Sequence, residues 1–409
     1  MPKSTYFTGQ PILGQLLSLI PRTKVDQLAK KHQSNRYCKK FRAYDHLVTM
    51  LFSSFHHCSS LRELITGLQA SSSRLGHLGI RYTPRKSTLA DANKRRSAEL
   101  FCELFHSLRK RYYGFSPDSP LKGKLNERLF IADSTTITLF SEVFKGCGNA
   151  MANGRKKGGV KAHTLIRAKD DVPCFVHITQ AATSDRTLMP RLELPSGSIL
   201  VMDKGYNSYV PMAKWTKQNV TWVTRLNARA CWEVVRELPV CEKFRNNGVL
   251  SDRLVVLGNR SRKAKVPLQQ ARIIVYYDKK DNRTFEFLTN NTELTALTIA
   301  GLYKRRWQIE SLFKRIKQNF QLHSFLGDNQ NAIEIQIWCT LIADLLTKVV
   351  KDRADRFRKT TWSFSNVAGL IRQHLGTYID LIRFLINPEK ALIGYRERLP
   401  DHQLKLFKT

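Results

Sequence analysis

Asp133 and Asp203 each stand where a run of apolar residues ends. Leu129, Phe130, Ile131 and Ala132 lead into Asp133, which Ser134, Thr135 and Thr136 follow; Ile199, Leu200, Val201 and Met202 lead into Asp203, which Lys204, Gly205 and Tyr206 follow. A carboxylate in that position emerges where a buried strand reaches solvent. If the two strands are neighbours, both carboxylates share one end of a sheet and can hold hard divalent cations through oxygen. An aspartate at a strand end is more often a turn former or a helix cap, so neither residue carries the assignment alone. A third group strengthens it. Tyr303, Arg306, Glu310 and Lys317 are spaced 3, 4 and 7 residues apart, and on one continuous helix they fall within about 60° of arc. That stripe holds an aromatic hydroxyl, two cations and one carboxylate. Leu302, Ile309, Phe313, Ile316 and Phe320 recur on the adjacent side, so the stripe would face the sheet edge. A solvated face with an Arg306–Glu310 ion pair is the plainer reading, but it leaves Tyr303 and Lys317 unexplained.

The elements that must position these residues change character along the chain. Up to about residue 115, apolar spacing predicts helices, with Ser60 and Glu63 as a capping box and Ser87 as an N-cap. Arg85, Lys86, Lys94, Arg95 and Arg96 would let one short helix enter a DNA groove or merely form a solvated basic face. The Pro-, Gly- and Ser-containing stretch at 114–124 reads as a linker. Four short β-branched runs follow, predicting strands at 128–133, 161–168, 173–181 and 198–203. Residues 226–284 read as a β-rich insertion, 295–320 as one long helix, and the tail from about 347 as helical.

The charge is the unusual quantity. The 409 residues hold 68 Lys and Arg against 33 Asp and Glu, a formal +35, which favours a polyanionic partner. The first 122 residues carry 21 basic and 7 acidic side chains, so the excess is distributed rather than a tail, as suits a duplex lying across a broad surface. The eight cysteines form no C-x-x-C pair, which argues against a zinc site or a disulfide framework. No run approaches the roughly 18 to 20 apolar residues of a membrane helix. The expectation is a cytoplasmic, nucleoid-associated protein with no membrane partner.

The string Y-x2-R-x3-E-x6-K, preceded by the apolar strand ending in Asp133 and by "VMDKGY", closely resembles the DDE transposases of bacterial insertion sequences, in the family of insertion sequence four. "GRKKGGVKAHTLI" and "YKRRWQIESLFKRIK" are similar to that family too, so the resemblance covers most of residues 125–330. It implies an α/β fold: a ribonuclease H-like mixed sheet with flanking helices, a β-rich insertion, and an all-α N-terminal DNA-binding domain. The corresponding domains are 1–120, a first core segment 125–225, the insertion 226–284, a second core segment 285–345, and a helical C-terminal region 346–409. By the same resemblance Asp133, Asp203 and Glu310 are the catalytic, metal-binding triad, holding two Mg²⁺ ions for which Mn²⁺ substitutes. Tyr303, Arg306 and Lys317 would handle phosphates of double-stranded DNA. The implied activity is cleavage of the element's inverted-repeat ends through hairpin intermediates and joining to target DNA, by a homodimer.

Other residues are read more openly. His163 is expected to be structural and Lys161 to lie nearer DNA. Trp307 is expected to pack in the core, whereas Trp232 is the candidate for holding a flipped base. Arg260, Arg262, Lys263 and Lys265 form either a DNA-facing or a solvated loop. Two rival functions are a transposase-derived DNA-binding protein without catalysis, and a ribonuclease H-like nuclease that cuts without joining. The first would usually lose a carboxylate of the triad, and the second gives no reason for the Tyr303, Arg306 and Lys317 stripe.

Overall fold

A computed structural model of the chain describes residues 8–80, 82–113, 125–138, 159–258, 268–320, 322 and 325–390. The linker at 114–124, most of the "GRKKGG" segment and the loop with Arg260, Arg262, Lys263 and Lys265 lie outside the described residues.

In chain order the helices and strands are α1 (Ile12–Leu17), α2 (Arg22–Lys31), α3 (Ala43–His56), α4 (Leu61–Ala70), α5 (Lys86–Arg95), α6 (Ala98–Tyr113), α7 (Leu125–Arg128), β1 (Leu129–Thr138), β2 (Gly159–Arg167), β3 (Val172–Gln180), β4 (Ile199–Met202), α8 (Tyr209–Lys217), β5 (Thr221–Arg225), β6 (Trp232–Glu237), α9 (Glu242–Asn246), β7 (Val249–Leu257), β8 (Gln269–Asp278), β9 (Arg283–Thr289), α10 (Ala296–Lys304), α11 (Trp307–Asn319), α12 (Gln330–Asp355), α13 (Phe364–His374) and α14 (Leu381–Ile386). Two compact units result, one from residues up to 115 together with those from 315 onward, the other from 116 to 314, and the division falls within α11.

The first unit is all-α. Its central helix, α12, is apolar nearly all the way round, with Ile333, Ile335, Ile337, Leu341, Ile342 and Leu346 all buried. Such a helix must be covered on every side, and α3, α5, α6, α13 and α14 supply that cover. The helices that follow residue 346 therefore share one core with those before 115, although the sequence suggests separate regions. Ser60 accepts from the Glu63 amide as expected, while the Glu63 carboxylate takes the Ser59 amide. Ser87 caps nothing, because α5 starts one residue earlier, after Arg85.

The second unit is a nine-stranded sheet in the order β3-β2-β1-β4-β5-β9-β8-β7-β6. β1, β2 and β3 form an antiparallel meander, and β4 and β5 run parallel to β1. This half, with flanking helices, is the expected ribonuclease H-like arrangement. The strands of 226–284 do not form a layer of their own: β9 pairs antiparallel with β5, so β8, β7 and β6 extend the core sheet. Met202, Trp215, Trp222 and Leu288 pack in one buried cluster on it. The buried Trp222 indole N–H donates to Thr216 at 3.0 Å, so its polar end is satisfied. Within the extension, Arg272 clamps Asp252 through two bonds of 2.7 and 2.6 Å and donates to the Leu294 carbonyl at 2.6 Å. That contact ties the extension to the segment leading into α10, which carries Tyr303.

The single long helix expected over 295–320 is two helices. At Arg305 and Arg306 the amides bond to the carbonyls of Leu302 and Tyr303, a tightened i to i−3 pattern. Neither proline nor glycine occupies the break; it coincides with the burial of the Arg306 side chain. On α11 Leu312 takes the fully buried position expected of Phe313.

Candidate active site

Strand register sets the first two carboxylates side by side. Ala132 pairs with Met202 on parallel β1 and β4, so Asp133 and Asp203 are the next residues side by side; β4 ends at Met202, but β1 does not end at Asp133 as expected and runs on to Thr138 paired with β2. Asp133 Oδ1 accepts from the Ser134 amide at 2.8 Å and Oδ2 from Arg306 Nη1 at 2.8 Å. Asp203 caps the 3₁₀ turn Lys204–Tyr206 by accepting from the Gly205 amide at 3.3 Å. Its Oδ1 accepts from Arg225 at 2.7 Å and from the Tyr303 hydroxyl at 3.4 Å.

Glu310 joins through a cation. Arg306 donates to Glu310 Oε1 at 2.7 Å with Nη2 while Nη1 holds Asp133, and its side chain is 9% exposed. The ion pair of the plainer reading therefore exists, but it is one arm of a bridge between two carboxylates. Tyr303 is buried against Phe287 with ring centroids 4.9 Å apart, and the Arg225 and Arg306 guanidinium groups lie near its ring face at 6.0 and 5.9 Å. The broken helix thus still delivers Tyr303, Arg306 and Glu310 to the two aspartates, with Arg306 at the bend.

The electrostatics follow from this crowding. Burial, together with the charges of Asp203 and Glu310, pushes Asp133 up to about 6 against the opposing pull of the Ser134 amide and Arg306. Burial also acts to raise Asp203, yet the Arg225 hydrogen bond and charge, with the Gly205 amide, outweigh it and hold the carboxyl below its ordinary value. Burial pushes the Tyr303 phenol up to about 12, so it is a neutral donor. Among the described residues no three acidic, His or Cys side chains already converge closely enough to hold one metal ion; Arg306 occupies oxygens of both Asp133 and Glu310. The donor set nevertheless suits a hard dication: every candidate ligand is a carboxylate, and the like-charge repulsion felt at Asp133 is what such an ion would relieve.

The remaining candidates separate. Lys317 lies two turns beyond Glu310 on α11, and burial lowers its ammonium pKa. Lys161 is not free for DNA, because its Nζ donates to the Thr183 carbonyl at 2.9 Å and to Asp185 at 3.2 Å. His163 is fully buried, and burial pushes it down to about 4, as a structural histidine should be. Arg96 is a correction: its guanidinium is buried and donates to the carbonyls of Ser34 and Phe41, so those bonds and not phosphates satisfy it. Arg95 is exposed and paired with Asp91. Trp232 lies on the edge strand β6, partly buried against the core cluster. Trp307 is the second correction: it is 59% exposed at the start of α11, with the Arg306 guanidinium over its ring, rather than a packing residue.

Two residues of the site escaped the sequence reading. Arg225 ends β5 after Trp222, Val223 and Thr224, the same strand-end pattern that marks both aspartates, but a cation there drew no notice. Asp185 follows β3 in a polar segment without any such pattern.

Residues 124–346 match the transposase DDE domain, and residues 8–81 match a domain of unknown function, DUF4372. A transposase of Sinorhizobium fredii, y4zB, is 31% identical over 324 residues, covering 79% of this chain and 86% of that one. The transposase for insertion sequence element IS4SA of Synechocystis is 26% identical over 274 residues, 64% of this chain and 71% of the relative. Among solved structures, the piggyBac transposase synaptic complex with hairpin DNA aligns over 94% of this chain and 83% of that one at 10% identity with a TM-score of 0.44, too low to support an argument. Matched by the transposase DDE domain over more than half its length, and 31% identical to the Sinorhizobium fredii transposase over 79% of it, the chain belongs to the DDE transposases.

Proposed function

We propose that this transposase binds the terminal inverted repeats of its own element as a homodimer, cuts them with Mg²⁺ or Mn²⁺ held by Asp133, Asp203 and Glu310, and joins the freed ends to target DNA. The family acts on DNA with divalent metal ions. The observation that carries the reading is the bridge of Arg306 between Asp133 and Glu310 beside Asp203, which gathers three carboxylates at one end of the sheet. Two ions there would stabilise the entering and departing oxygens of an in-line displacement at phosphorus. Arg306, released from Asp133 and Glu310, is then free to clamp a phosphate in two-pronged fashion, and Tyr303 donates to a phosphate oxygen. Lys317 supplies a further point charge to the DNA. Exposed Trp307 offers a stacking face for a base unpaired in a hairpin end. The all-α unit supports end binding through a basic, aromatic cavity of about 440 Å³ lined by Arg36, Tyr37, Lys39, Lys40, Tyr82 and Arg95. Tyr37 is 83% exposed there and held at φ 59°, a conformation rarely kept without a reason.

The test is incubation of the purified protein with Mg²⁺ and a labelled duplex ending in the element's terminal repeat, with the Glu310→Gln protein in parallel. Cutting at the repeat boundary with products joined to a second DNA, absent in the variant, is expected. Cutting without joining would replace the proposal with a nuclease, and binding without metal-dependent cutting would refute it. No helix of the described residues is long and apolar enough to cross a membrane.

A further inference from the structure

Asp185 belongs to no part of the helix motif, yet it borders both strand-end aspartates. It opens the 3₁₀ turn Asp185–Arg191, whose N-cap is Ser184. Its Oδ1 accepts from Ser134 Oγ at 3.0 Å and from Lys161 Nζ at 3.2 Å, with His163 Nδ1 at 3.7 Å. Its Oδ2 faces Gly205, where an added Cβ would stand 3.3 Å from Asp185 Oδ2 and 3.8 Å from Asp203 Oδ2. Both carboxylates therefore lie beside the same glycine, and a side chain at 205 would crowd Asp185.

The partners of Asp185 lead to the site. Ser134 is the residue whose amide fixes Asp133 Oδ1 at 2.8 Å. Ser134 also hydrogen-bonds the hydroxyl of Tyr206, a fully buried side chain three residues beyond Asp203. That hydroxyl lies 3.5 Å from His163 Nδ1, and His163 Nε2 lies 2.9 Å from Thr179 Oγ1 on β3. One polar network thus runs from β3 and β2 to Ser134 on β1 and into the turn after β4. Lys161 pairs with Asp185 in it, so Asp185 supports the site without adding uncompensated negative charge. Groups that orient metal-binding side chains in this way are commonly worth a 10- to 100-fold change in metal affinity.

We propose that Asp185 is a positioning residue of the phosphoryl-transfer site: by holding Ser134 and Lys161 it fixes β1 and β2 beside the site and keeps Asp133 and Asp203 at the separation that metal binding requires. The inference rests on the assignment of those two aspartates as metal-binding carboxylates. It is tested on the full chain with Asp185→Asn, Ser134→Ala and the double variant, each first compared with wild type for circular dichroism and for binding to the terminal-repeat duplex. Mn²⁺ binding is then read by electron paramagnetic resonance in the absence of DNA, with Asp133→Asn as the control. The expected result is Mn²⁺ binding weakened about 10- to 100-fold in each single variant, no further loss in the double variant, and end binding retained. Additivity in the double variant would overturn the coupling through Ser134, and wild-type Mn²⁺ affinity in both single variants would overturn the positioning role. If Asp185→Asn does not fold, Ser134→Ala decides alone, since it removes one hydroxyl and leaves the Lys161–Asp185 pair intact. A wild-type protein that binds Mn²⁺ no better than Asp133→Asn would refute the metal assignment itself, a different failure from an Asp185 variant that matches wild type.

Discussion

The two units bury their charges to opposite ends. In the all-α unit several buried groups close on partners within one core: Arg315 meets Asp344 at 3.1 Å, Arg96 donates to backbone carbonyls, and His46 faces Asn93 at 2.7 Å, although His46 Nδ1 and Arg96 Nη1 are buried without a hydrogen bond. In the sheet unit, Asp133, Asp203, Glu310, Arg225 and Arg306 crowd one sheet end, and Asp133 is left with its carboxyl pushed up to about 6 by burial and its neighbours. The first pattern satisfies charge to hold a shape, whereas the second stores repulsion that a ligand can relieve. Removing a charge should therefore cost stability at a closed pair, such as Arg315–Asp344 in the all-α unit or Arg272–Asp252 in the sheet unit, and chemistry at the crowded site.

The largest effect falls on chemistry. Asp133→Asn or Glu310→Gln is expected to lower strand cleavage by about 10³-fold or more, since a lost metal position forfeits several kcal/mol of transition-state stabilisation. Thermal unfolding should show no loss of stability, because the crowded site is relieved of a charge. A variant that melts well below wild type while still cleaving would reverse the assignment of roles between the units. The counterpart in the all-α unit is Arg315→Met, which strands the buried Asp344 carboxylate. We expect a loss of about 3–5 kcal/mol in urea unfolding, with cleavage near wild type at a temperature where the variant stays folded.

A pH titration sharpens the same contrast. Burial, with the nearby Arg96 charge, pushes His46 down to about 3 in the folded protein, against an ordinary value near 6.5. The unfolded chain then takes up the proton first as pH falls. The stability contributed by neutral His46 is complete above about pH 6.5 and is lost progressively toward pH 3, with about 2 kcal/mol gone by pH 5. His46→Leu should flatten that part of the stability-against-pH curve; an unchanged slope would show that another group carries it.

How much of this was legible in the sequence depends on the range of the interactions. Asp133 and Asp203 were readable because an apolar run ending in a carboxylate is a local pattern, and parallel pairing of β1 with β4 then aligned them, although β1 itself continues past Asp133 to Thr138. The break between α10 and α11 was not readable, since no proline or glycine marks it and the buried Arg306 reaches a carboxylate far away in sequence. The same holds for Asp185 and Arg225, whose importance lies in partners on other strands. Trp307 was misread on residue type alone: even on a continuous helix it would lie about 140° from the centre of the apolar side, so its spacing already pointed outward. The merging of β6 to β9 with the core sheet depends on one pairing, β5 with β9, which no local periodicity announces.

The smallest effect separates two adjacent arginines that the sequence treats alike. Arg95 is exposed on α5 and pairs with partly exposed Asp91, one helical turn back, so it can exchange that carboxylate for a DNA phosphate at little cost. Arg96 cannot, because leaving the Ser34 and Phe41 carbonyls would empty a buried site. Arg95→Ala should leave the melting temperature unchanged, weaken binding to the terminal-repeat duplex a few-fold at moderate salt, and reduce the slope of log affinity against log salt by about 1. Arg96→Gln should lower the melting temperature and leave the salt slope as in wild type. If Arg95→Ala keeps the full slope, α5 does not touch the DNA backbone, and the basic cavity around Tyr37 must be approached from its opposite rim.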